Sequence, residues 1–402
     1  MNFKIFQDNI YRKTDLEETI TSLKALPTAD TFSRQSLSVI ENLSSHFLKS
    51  EYSRQWPQLT ALGYWLRKGA IMPLIDKYRL KPNPEIRTAR GLALHLPPAN
   101  VDTLFVYSWV LSFLCGNKNI VRLPNDSNPV AQFLVESITV FLPKNSGQVF
   151  CQYNSDSDAN QIISKECDLR VIWGGNEKVN LISKFPVKPD GLSIGFPDRK
   201  SLSILSESDY AAKGEHARDQ LAKRFFNDVY WFDQMGCGSP RLLVWLFDQK
   251  PDLFLRTDFY WRLNKKIKQE NYVTNPSIAL QKIANADQKI GTKLSNSYEM
   301  LCNELIIINT DLKAHILDET LGGGSILEAQ TSDITEIATV LNDSTQTITQ
   351  EGVSQDQAKA LLTTGNHKGF YRFVPVGDAL NFNSVWDGID LIEHFTRKVW
   401  IS

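Results

Sequence analysis

The sequence predicts an α/β protein made of two α/β lobes, with a helical N-terminal region before them and a strand at the C-terminus. Two observations support this fold class. Apolar residues recur at helical spacing in the first part of the chain, and short apolar runs then alternate with helical stretches in two successive series. Strands that alternate with helices are typical of a mostly parallel sheet covered on both faces. The 402 residues are enough for two or three domains of ordinary size.

Residues 1–88 are predicted to be helical. Two segments of this region place apolar residues on one helical face: Leu37, Ile40, Leu43 and Phe47 in the first, then Leu59, Leu62 and Leu66 in the second. The segment "KPNPE" at 81–85 ends the region, because proline disfavours helix at the residue before it.

The first lobe is predicted from strands at "GLALHLPPAN", "NIVRLP", "GQVFCQYN", "DLRVIWGG" and "KSLSILSE", with helices at residues 102–115, "DANQIISKE" and "NEKVNLISKF". The second lobe is predicted from strands at "RLLVWLF", "NELIIINT" and "GSILEAQT", with helices at "DFYWRLNKKIKQENY" and "DITEIATVLND". The polar segment "VLNDSTQTITQEGVSQDQ" is predicted to be a surface connection. The resulting boundaries are 1–88, 89–206, 207–366 and 367–402, and a cleft between the lobes is the expected place for chemistry.

Composition and charge exclude several classes of protein. Lys and Arg total 44 against 45 Asp and Glu, so no strong field favours nucleic acid or an anionic membrane. The longest apolar stretch, 103–115, is shorter than the ~20 residues that span a bilayer. The N-terminus lacks a basic segment followed by an apolar run, so the cytoplasm is the expected location. Five cysteines without CxxC pairs predict neither a disulfide framework nor a metal site.

The segment "FDQMGCGSPRLLVWLF" places Cys237 between Gly236 and Gly238, after a polar turn and before an apolar run. Glycines at both sides let the backbone turn sharply and expose a thiol with nearby N–H groups, as a nucleophile attacking a carbonyl requires. Free cysteine is also among the most buried residue types, so a small core residue is the alternative. If the pKa of this thiol is lowered, Arg241 or a helix N-terminus is the expected cause.

Two further segments have both a structural and a functional interpretation. Asn100 follows two prolines before a buried helix, where asparagine either caps the helix or presents a fixed amide to an oxyanion. Gly174 and Gly175 lie between a strand and a helix, where they either make a turn or expose N–H groups to a phosphate. There is no GxGxxG, and His95, which alternates with leucines, is predicted to be structural.

Taken in order, "HLPPANV", "CGNKNIVRLP", "WGGNEKV" and "DQMGCGSPR" resemble the plan of the aldehyde dehydrogenase superfamily. With the C-terminal "GFYRFVPVGDALNFNSVWDGIDLIEHFTRKV", they resemble most the acyl-CoA reductases of the LuxC family, over roughly residues 90–402. The resemblance implies an aldehyde dehydrogenase-like fold. In it, 89–206 is the nucleotide-binding domain, 207–366 is the catalytic domain, and 367–402 is a return ending in an oligomerisation strand.

The resemblance also implies residue roles. Cys237 falls on the family's nucleophile and Asn100 on the asparagine of its oxyanion site. The residues implied to contact the nicotinamide cofactor are Arg122, Asn125, Gly174 and Gly175. Arg122 replaces a lysine that contacts the ribose in relatives, and the match is conservative in charge only. The arginine, with no acidic residue after it at the spacing used for the ribose hydroxyls, favours NADPH.

One departure from the superfamily is informative. Aldehyde-oxidising members carry a glutamate in an "ELGGK" segment that activates water against the thioester intermediate. The corresponding segment here, "GFPDRKS", places Phe196 near that glutamate. Without the base an acyl-enzyme resists hydrolysis, which favours reduction of an activated acyl group. Asp198 lies two residues away, so a displaced base stays open.

The predicted function is NADPH-dependent reduction of an acyl thioester, expected to be fatty acyl, to the aldehyde through a covalent acyl-Cys237. The donor is expected to be acyl-CoA or an acyl-protein, with an acyl-transferring synthetase as a candidate partner. The alternatives are an aldehyde dehydrogenase working oxidatively and a non-catalytic acyl-binding or scaffold subunit. The terminal "HFTRKVWIS" resembles the family's oligomerisation strand, so a homo-oligomer is expected.

Overall fold

A computed structural model describes residues 2–79, 85–98, 101–125, 128–318, 320–364 and 370–401. The chain forms two compact units, the first made of Met1–Pro197 with Phe382–Ser402 and the second of Asp198–Asn381. These divisions differ from the boundaries after residues 88, 206 and 366 that the sequence suggests. The segment "KSLSILS" explains one difference, because this strand belongs to the sheet of the second unit.

The elements of residues 2–197 are β1 (Lys4–Gln7), β2 (Ile10–Lys13), α1 (Leu16–Ala25), α2 (Arg34–Lys49), a 3₁₀ turn (Glu51–Ser53), α3 (Pro57–Trp65), α4 (Lys68–Arg79), β3 (Glu85–Ala89), β4 (Leu92–Leu96), α5 (Leu104–Leu114), β5 (Lys118–Arg122), α6 (Pro129–Phe141), β6 (Gln148–Gln152), α7 (Ala159–Glu166), β7 (Leu169–Trp173), α8 (Asn176–Ser183) and β8 (Leu192–Phe196). Those of the second unit are β9 (Lys200–Ser206), α9 (Glu207–Ala212), α10 (Glu215–Tyr230), β10 (Pro240–Leu246), α11 (Leu253–Gln269), α12 (Pro276–Gly291), β11 (Ser297–Cys302), β12 (Leu305–Asn309), β13 (Ser325–Thr331), a 3₁₀ helix (Ile334–Val340), β14 (Thr345–Glu351), α13 (Gln355–Thr363) and β15 (Arg372–Pro375). The C-terminal return contains β16 (Val385–Trp386), β17 (Ile389–Asp390), α14 (Leu391–Phe395) and β18 (Thr396–Trp400).

The sheet of the first unit has the order β2-β1-β6-β5-β4-β7-β8. The strands from β4 to β8 pair in parallel, whereas β1 is antiparallel to β6 and to β2. The parallel part follows a doubly wound order, in which the first strand in sequence, β4, lies in the middle and the direction of winding changes between β4 and β7. Ligands of such sheets bind outside the carboxyl ends of the strands at that change of direction.

The N-terminal region is mostly helical, as predicted, and it also contains strands. The buried face of α2 includes Ile40, Leu43 and Phe47, which confirms the face read from the sequence. The hairpin of β1 and β2 adds to the first sheet through pairing of β1 with β6, a contact about 145 residues away along the chain. Strands of four residues carry too little alternation to be recognised in the sequence.

The sheet of the second unit has the order β11-β12-β13-β10-β9-β14-β15. All neighbours pair in parallel except β11, which is the antiparallel edge strand. The prediction of a surface connection at residues 340–357 is wrong, because Thr345–Glu351 forms β14 between β9 and β15. Its threonines and glutamines hide the strand from a search for apolar runs, although its first five residues are buried. The helix predicted at "DITEIATVLND" is a 3₁₀ helix rather than an α-helix.

The C-terminal return belongs to the first unit, where β18 pairs with β3 in an antiparallel ladder. The apolar side chains of Val399 and Trp400 on β18 are exposed. The expected oligomerisation strand thus exists as a strand, and its use between subunits stays a prediction. Within the described ranges, no helix combines the length and apolarity needed to cross a membrane.

Candidate active site and cofactor site

The Cys237 loop, residues 232–239, joins α10 to β10 at the edge of the second sheet where the parallel strands begin. Cys237 is partly exposed. Three other cysteines are buried, namely Cys115, Cys151 and Cys167, and burial raises the pKa of each, which keeps the thiol protonated. Cys302 is partly exposed, but burial raises its pKa as well. Cys237 is therefore the cysteine whose setting best suits a nucleophile.

A buried glutamine holds this loop to the start of β13. The Nε2 of Gln234 donates to the carbonyls of Pro240 at 2.8 Å and Ser325 at 3.0 Å. Its Oε1 accepts from the N–H groups of Gly324 at 3.0 Å and Ser325 at 3.1 Å. Two donors and two acceptor sites are all that a primary amide offers, so Gln234 is fully satisfied inside the protein.

Part of the loop has a strained backbone. Asp233 and Gln234 have φ values of 49° and 61°, in the left-handed region that residues other than glycine seldom adopt. The carbonyl of Asp233 accepts from the N–H of Gly323 at 2.8 Å, and its carboxylate accepts from the hydroxyl of Tyr272 at 2.5 Å. Such a conformation persists only where its surroundings determine it, and these contacts do so.

Both glycines that flank Cys237 are closely packed, and Gly238 is packed against backbone. Neither Gly236 nor Gly238 has a positive φ. A Cβ on Gly238 would overlap the carbonyl oxygen of Ala379, and one on Gly236 would lie 2.9 Å from Cδ2 of Leu380. The loop therefore lies directly against residues 379–380. A side chain at Gly238 would push the two backbone segments apart, and one at Gly236 would displace the side chain of Leu380.

Two cations stand close enough to the thiol to interact with its charge. Burial lowers the pKa of Arg241 to about 10, and the negative charge of a Cys237 thiolate opposes that shift. Lys200 is perturbed in the same way, since burial and Arg241 lower its pKa while Asp198 and Cys237 raise it. Cations near a cysteine favour the thiolate, which is the nucleophilic form.

The carbonyl of Cys237 is also fixed. It accepts a hydrogen bond from Oγ of Ser201 at 2.6 Å, and the same Oγ accepts from the N–H of Thr347 at 3.1 Å. Ser201 is the second residue of β9 and pairs with Pro240, so its hydroxyl joins the loop to both β9 and β14. The loop is thus held on three sides by contacts within one unit.

The proposed oxyanion donor, Asn100, lies outside the described residues. The segment that precedes it is held by Lys178, whose Nζ donates to the carbonyls of Leu96 at 3.2 Å and Pro97 at 2.9 Å. Nζ also donates to the carbonyl of Trp173 at 2.9 Å, which joins the carboxyl ends of β4 and β7. Burial, and to a lesser degree Arg122, lowers the pKa of Lys178 to about 8.

The predicted cofactor residues lie near the carboxyl ends of strands of the first sheet. Arg122 ends β5, donates from Nη2 to the carbonyl of Tyr153 at 3.3 Å, and stacks over that ring. Asn125 follows in an exposed segment, where its Nδ2 donates to Oδ1 of Asn154 at 3.1 Å. Gly174 and Gly175 follow β7 and lead into α8.

These residues fit a nicotinamide dinucleotide. Gly174 has a φ of 144°, which favours glycine, and a Cβ there would meet the side chain of Lys178 at 3.0 Å. Gly175 is the N-cap of α8 and supplies no side-chain acceptor to the first N–H groups of that helix. The buried Nε of Arg122 has no hydrogen-bond partner among the described residues. A positive helix end and a glycine turn beside the change in winding direction, with an arginine at the end of β5, suit the pyrophosphate of such a cofactor.

The segment predicted to correspond to the activating glutamate has Phe196 at the aligned position. Phe196 ends β8 and stacks on Trp173 with ring centroids 3.9 Å apart, buried in the core of the first unit. Asp198 begins the second unit and interacts electrostatically with Lys200. The displaced carboxylate considered from the sequence thus shares its lysine neighbour with Cys237.

Sequence reasoning missed several residues that shape these sites. Gln234 and Lys178 were unrecognised because their partners are backbone groups brought together only by the fold. The polar dipeptide before Met235 marks Gln234 as unusual in a glycine-rich loop, but three of its four bonds are made to residues about 90 positions away. No comparable signal marks Lys178, which resembles any lysine of an amphipathic helix.

Comparison with known proteins adds to this picture. The sequence model of the family described as acyl-CoA reductase (LuxC) matches residues 74–398. A curated relative, the long-chain acyl-protein thioester reductase of Aliivibrio fischeri, is 27% identical over 172 residues. That match covers 41% of this chain and 34% of the relative, so it spans only about a third of that protein's length.

Solved structures with the same fold are aldehyde dehydrogenases. An NAD-dependent benzaldehyde dehydrogenase from Corynebacterium glutamicum has a TM-score of 0.66 at 13% identity, covering 98% of this chain and 91% of its own. Aldehyde dehydrogenase KauB from Pseudomonas aeruginosa has a TM-score of 0.67 at 12% identity, covering 99% and 96%. A 1-pyrroline-5-carboxylate dehydrogenase from Thermus, solved with bound NAD, has a TM-score of 0.65 at 14% identity, covering 96% and 84%. The fold predicted from the sequence is confirmed.

Proposed function

The chain belongs to the acyl-CoA reductase (LuxC) family, and on that basis we propose that it reduces a long-chain acyl thioester to the aldehyde with NADPH. The acyl group passes through a covalent thioester on Cys237. The observation that carries the proposal is the setting of this thiol, partly exposed in a loop held on three sides and next to two cations. The long-chain preference follows the substrate class in the name of the Aliivibrio fischeri relative.

The first half of the reaction is acyl transfer. The thiolate sulfur of Cys237 bonds to the acyl carbon, the bond from that carbon to the carrier sulfur breaks, and the carrier leaves as a thiol after taking a proton from solvent. Arg241 and Lys200 favour the attacking thiolate by their charge. Asn100 and the N–H of Cys237 are the proposed donors to the oxyanion at each tetrahedral stage.

The second half is reduction. When bound, the nicotinamide supplies a hydride to the acyl carbon. The resulting oxyanion collapses, the bond between that carbon and the sulfur of Cys237 breaks, and aldehyde and thiolate are released. Arg122, Gly174 and Gly175 are the proposed holders of the cofactor, because they offer a cation and a helix N-terminus.

The position predicted to align with the activating glutamate supports reduction as the direction of the reaction. An acyl-enzyme is hydrolysed when a base activates water beside it. The aligned position here is Phe196, an aromatic side chain buried in the first unit. The thioester therefore persists until it is reduced, and the oxidative aldehyde dehydrogenase becomes the second candidate. Asp198 is the residue that would support that candidate, since it neighbours the lysine that interacts with Cys237.

The test is an assay with two substrate combinations, palmitoyl-CoA with NADPH and the aldehyde with NADP. Mixing the chain with palmitoyl-CoA and NADPH should oxidise NADPH, seen as a fall in its absorbance, and yield the aldehyde. Cys237→Ser should abolish this turnover, whereas the matched control Cys302→Ser should retain it. Oxidation of the aldehyde with NADP, without reduction of palmitoyl-CoA, would favour the oxidative candidate. An acyl adduct without turnover in either direction would favour a scaffold subunit.

A further inference from the structure

A turn at residues 377–379 lies on the Cys237 loop. The carbonyl oxygen of Ala379 occupies the space where Gly238 would carry a side chain, and Leu380 does the same at Gly236. Contact this close leaves the loop no room to move toward the turn. The position of the turn is therefore part of what determines the position of the loop.

The turn is anchored through its own peptide groups. The buried carboxylate of Asp228, on α10, accepts from the N–H of Gly377 at 2.7 Å and from that of Ala379 at 3.1 Å, one with each oxygen. Arg372, at the start of β15, donates from Nη1 to the carbonyl of Ala379 and from Nη2 to that of Asp378, both at 2.8 Å. The N–H groups and the carbonyls of the turn are thus held by opposite charges.

We propose that Asp228 is a positioning residue for Cys237. By fixing the turn at residues 377–379 against Gly238, its carboxylate holds the loop in the shape that presents the thiol to an acyl carbon. The inference rests on the proposed role of Cys237 and adds a residue that neither touches substrate nor lies in the loop. Helix α10 leads into the loop, so Asp228 also fixes the loop relative to its own helix.

The choice of a carboxylate has a physical reason. Each N–H is taken by a different oxygen of the carboxylate, whereas an amide of the same shape would turn an NH₂ donor toward one of the two N–H groups. The groups that interact electrostatically with Asp228 are Asp378 on the turn and Arg372 on β15. Burial is the main effect and raises the pKa of Asp228 to about 7. The double anchor is therefore complete above that pH and weakens below it, when one oxygen becomes a hydroxyl.

The test uses Asp228→Asn and a matched control, Asp258→Asn. Asp258 is also a helical aspartate of the second unit that accepts several hydrogen bonds, from Tyr210, Arg218 and Arg262. Hydrogen exchange is followed by mass spectrometry in peptides covering 376–381 and 232–239, with β12 as an internal reference. Alkylation of Cys237 by iodoacetamide and turnover of palmitoyl-CoA are measured on the same samples.

Asp228→Asn should raise exchange in both peptides by about tenfold, because one charge-assisted hydrogen bond is lost, and leave β12 unchanged. It should lower kcat by about tenfold and change KM less than about twofold, since the thiol is misplaced rather than substrate binding weakened. Asp258→Asn should change none of these values. In the unaltered chain, exchange corrected for its intrinsic pH dependence should rise in both peptides as pH falls below about 7, and Asp228→Asn should not show that rise.

Unchanged exchange at 232–239 in Asp228→Asn, or unchanged kcat together with unchanged Cys237 alkylation, would overturn the inference. If the variant fails to fold, the pH dependence of exchange in the unaltered chain tests whether the Asp228 carboxylate holds the loop. A chain that does not turn over palmitoyl-CoA at all would defeat the proposed function, while exchange and alkylation would still report whether Asp228 positions the loop. Alkylation of Cys302 serves as the internal measure of general loosening.

Discussion

The side chain of Gln234 and the backbone of Ser325 pair in both directions, with Nε2 donating to the carbonyl at 3.0 Å and Oε1 accepting from the N–H at 3.1 Å. An amide paired in this way copies the pairing of a neighbouring strand. It extends the start of β13 into the Cys237 loop, which has no strand of its own there. The loop of the proposed nucleophile is thus joined to the parallel sheet by a side chain.

Gln234→Ala should destabilise the protein and lower its turnover. The change removes the side-chain partner of four buried backbone groups. Each such group costs about 1–3 kcal/mol unless water reaches it. A loss on the order of 3 kcal/mol in the free energy of unfolding is therefore expected. Urea unfolding measures the loss, and the exposed Gln220→Ala on α10 is the control, with a change within about 0.5 kcal/mol. Equal stability of the two variants would show that Gln234 does not hold the loop.

Gly238→Ala should reduce turnover by displacing Ala379. Since a methyl group there would overlap the carbonyl of Ala379, either the turn or the loop must shift. We expect kcat to fall by about a hundredfold, as misplacement by about 1 Å can do. Gly291→Ala, at the end of α12 with open space around its Cβ position, is the control and should leave kcat unchanged. Normal turnover in Gly238→Ala would contradict the packing described.

Arg122→Gln should separate the two nicotinamide cofactors. If the guanidinium pairs with the additional phosphate of NADPH, its loss should raise the Kd of NADPH about tenfold and that of NADH less than about twofold. Arg12→Gln, which removes an exposed arginine paired with Asp8, is the control. Kd is measured by quenching of tryptophan fluorescence. A parallel loss of affinity for both cofactors would place Arg122 on the shared part of the dinucleotide instead.

His95 should make the protein sensitive to acid. It is buried between Oγ of Ser108 at 2.7 Å and Oδ1 of Asn119 at 2.9 Å, and burial lowers its pKa from 6.5 to about 4. The unfolded chain therefore takes up the proton first as pH falls, so the stabilisation is present above pH 6.5 and is lost toward pH 4. In urea unfolding, His95→Gln should reduce the loss of unfolding free energy between pH 6.5 and pH 4 by about 3 kcal/mol. An identical slope in both chains would mean that His95 does not titrate in this range.

The fold was readable from the sequence where strands were apolar. The runs at β4, β7 and β10 are buried along their whole length, and such runs need no knowledge of their partners. β14 could not be predicted, because its threonines and glutamines are residue types that are typical of a surface segment. Pairing between β9 and β15, which hold it on both sides, is what makes it a strand.

The candidate site was readable in part for a related reason. The glycines on both sides of Cys237 marked it as a candidate, since glycine often occurs where the backbone turns sharply or packs closely. The reason for the glycines could not be read, because Ala379 and Leu380 lie more than 140 positions further along the chain. Asp228 was missed altogether, since an aspartate near the end of a helix is ordinary until its two N–H partners are known.

The central claim is that Cys237 carries the acyl group, and mass spectrometry of the cysteine peptides tests it most directly. The chain is mixed with palmitoyl-CoA in the absence of NADPH, digested, and its cysteine peptides are mapped. We predict a mass gain of one palmitoyl group on Cys237, matched by an equal amount of released CoA, that persists until NADPH is added and then disappears as aldehyde forms. No adduct, an adduct on Cys302 alone, or one that decays to free fatty acid before NADPH is added would contradict the account.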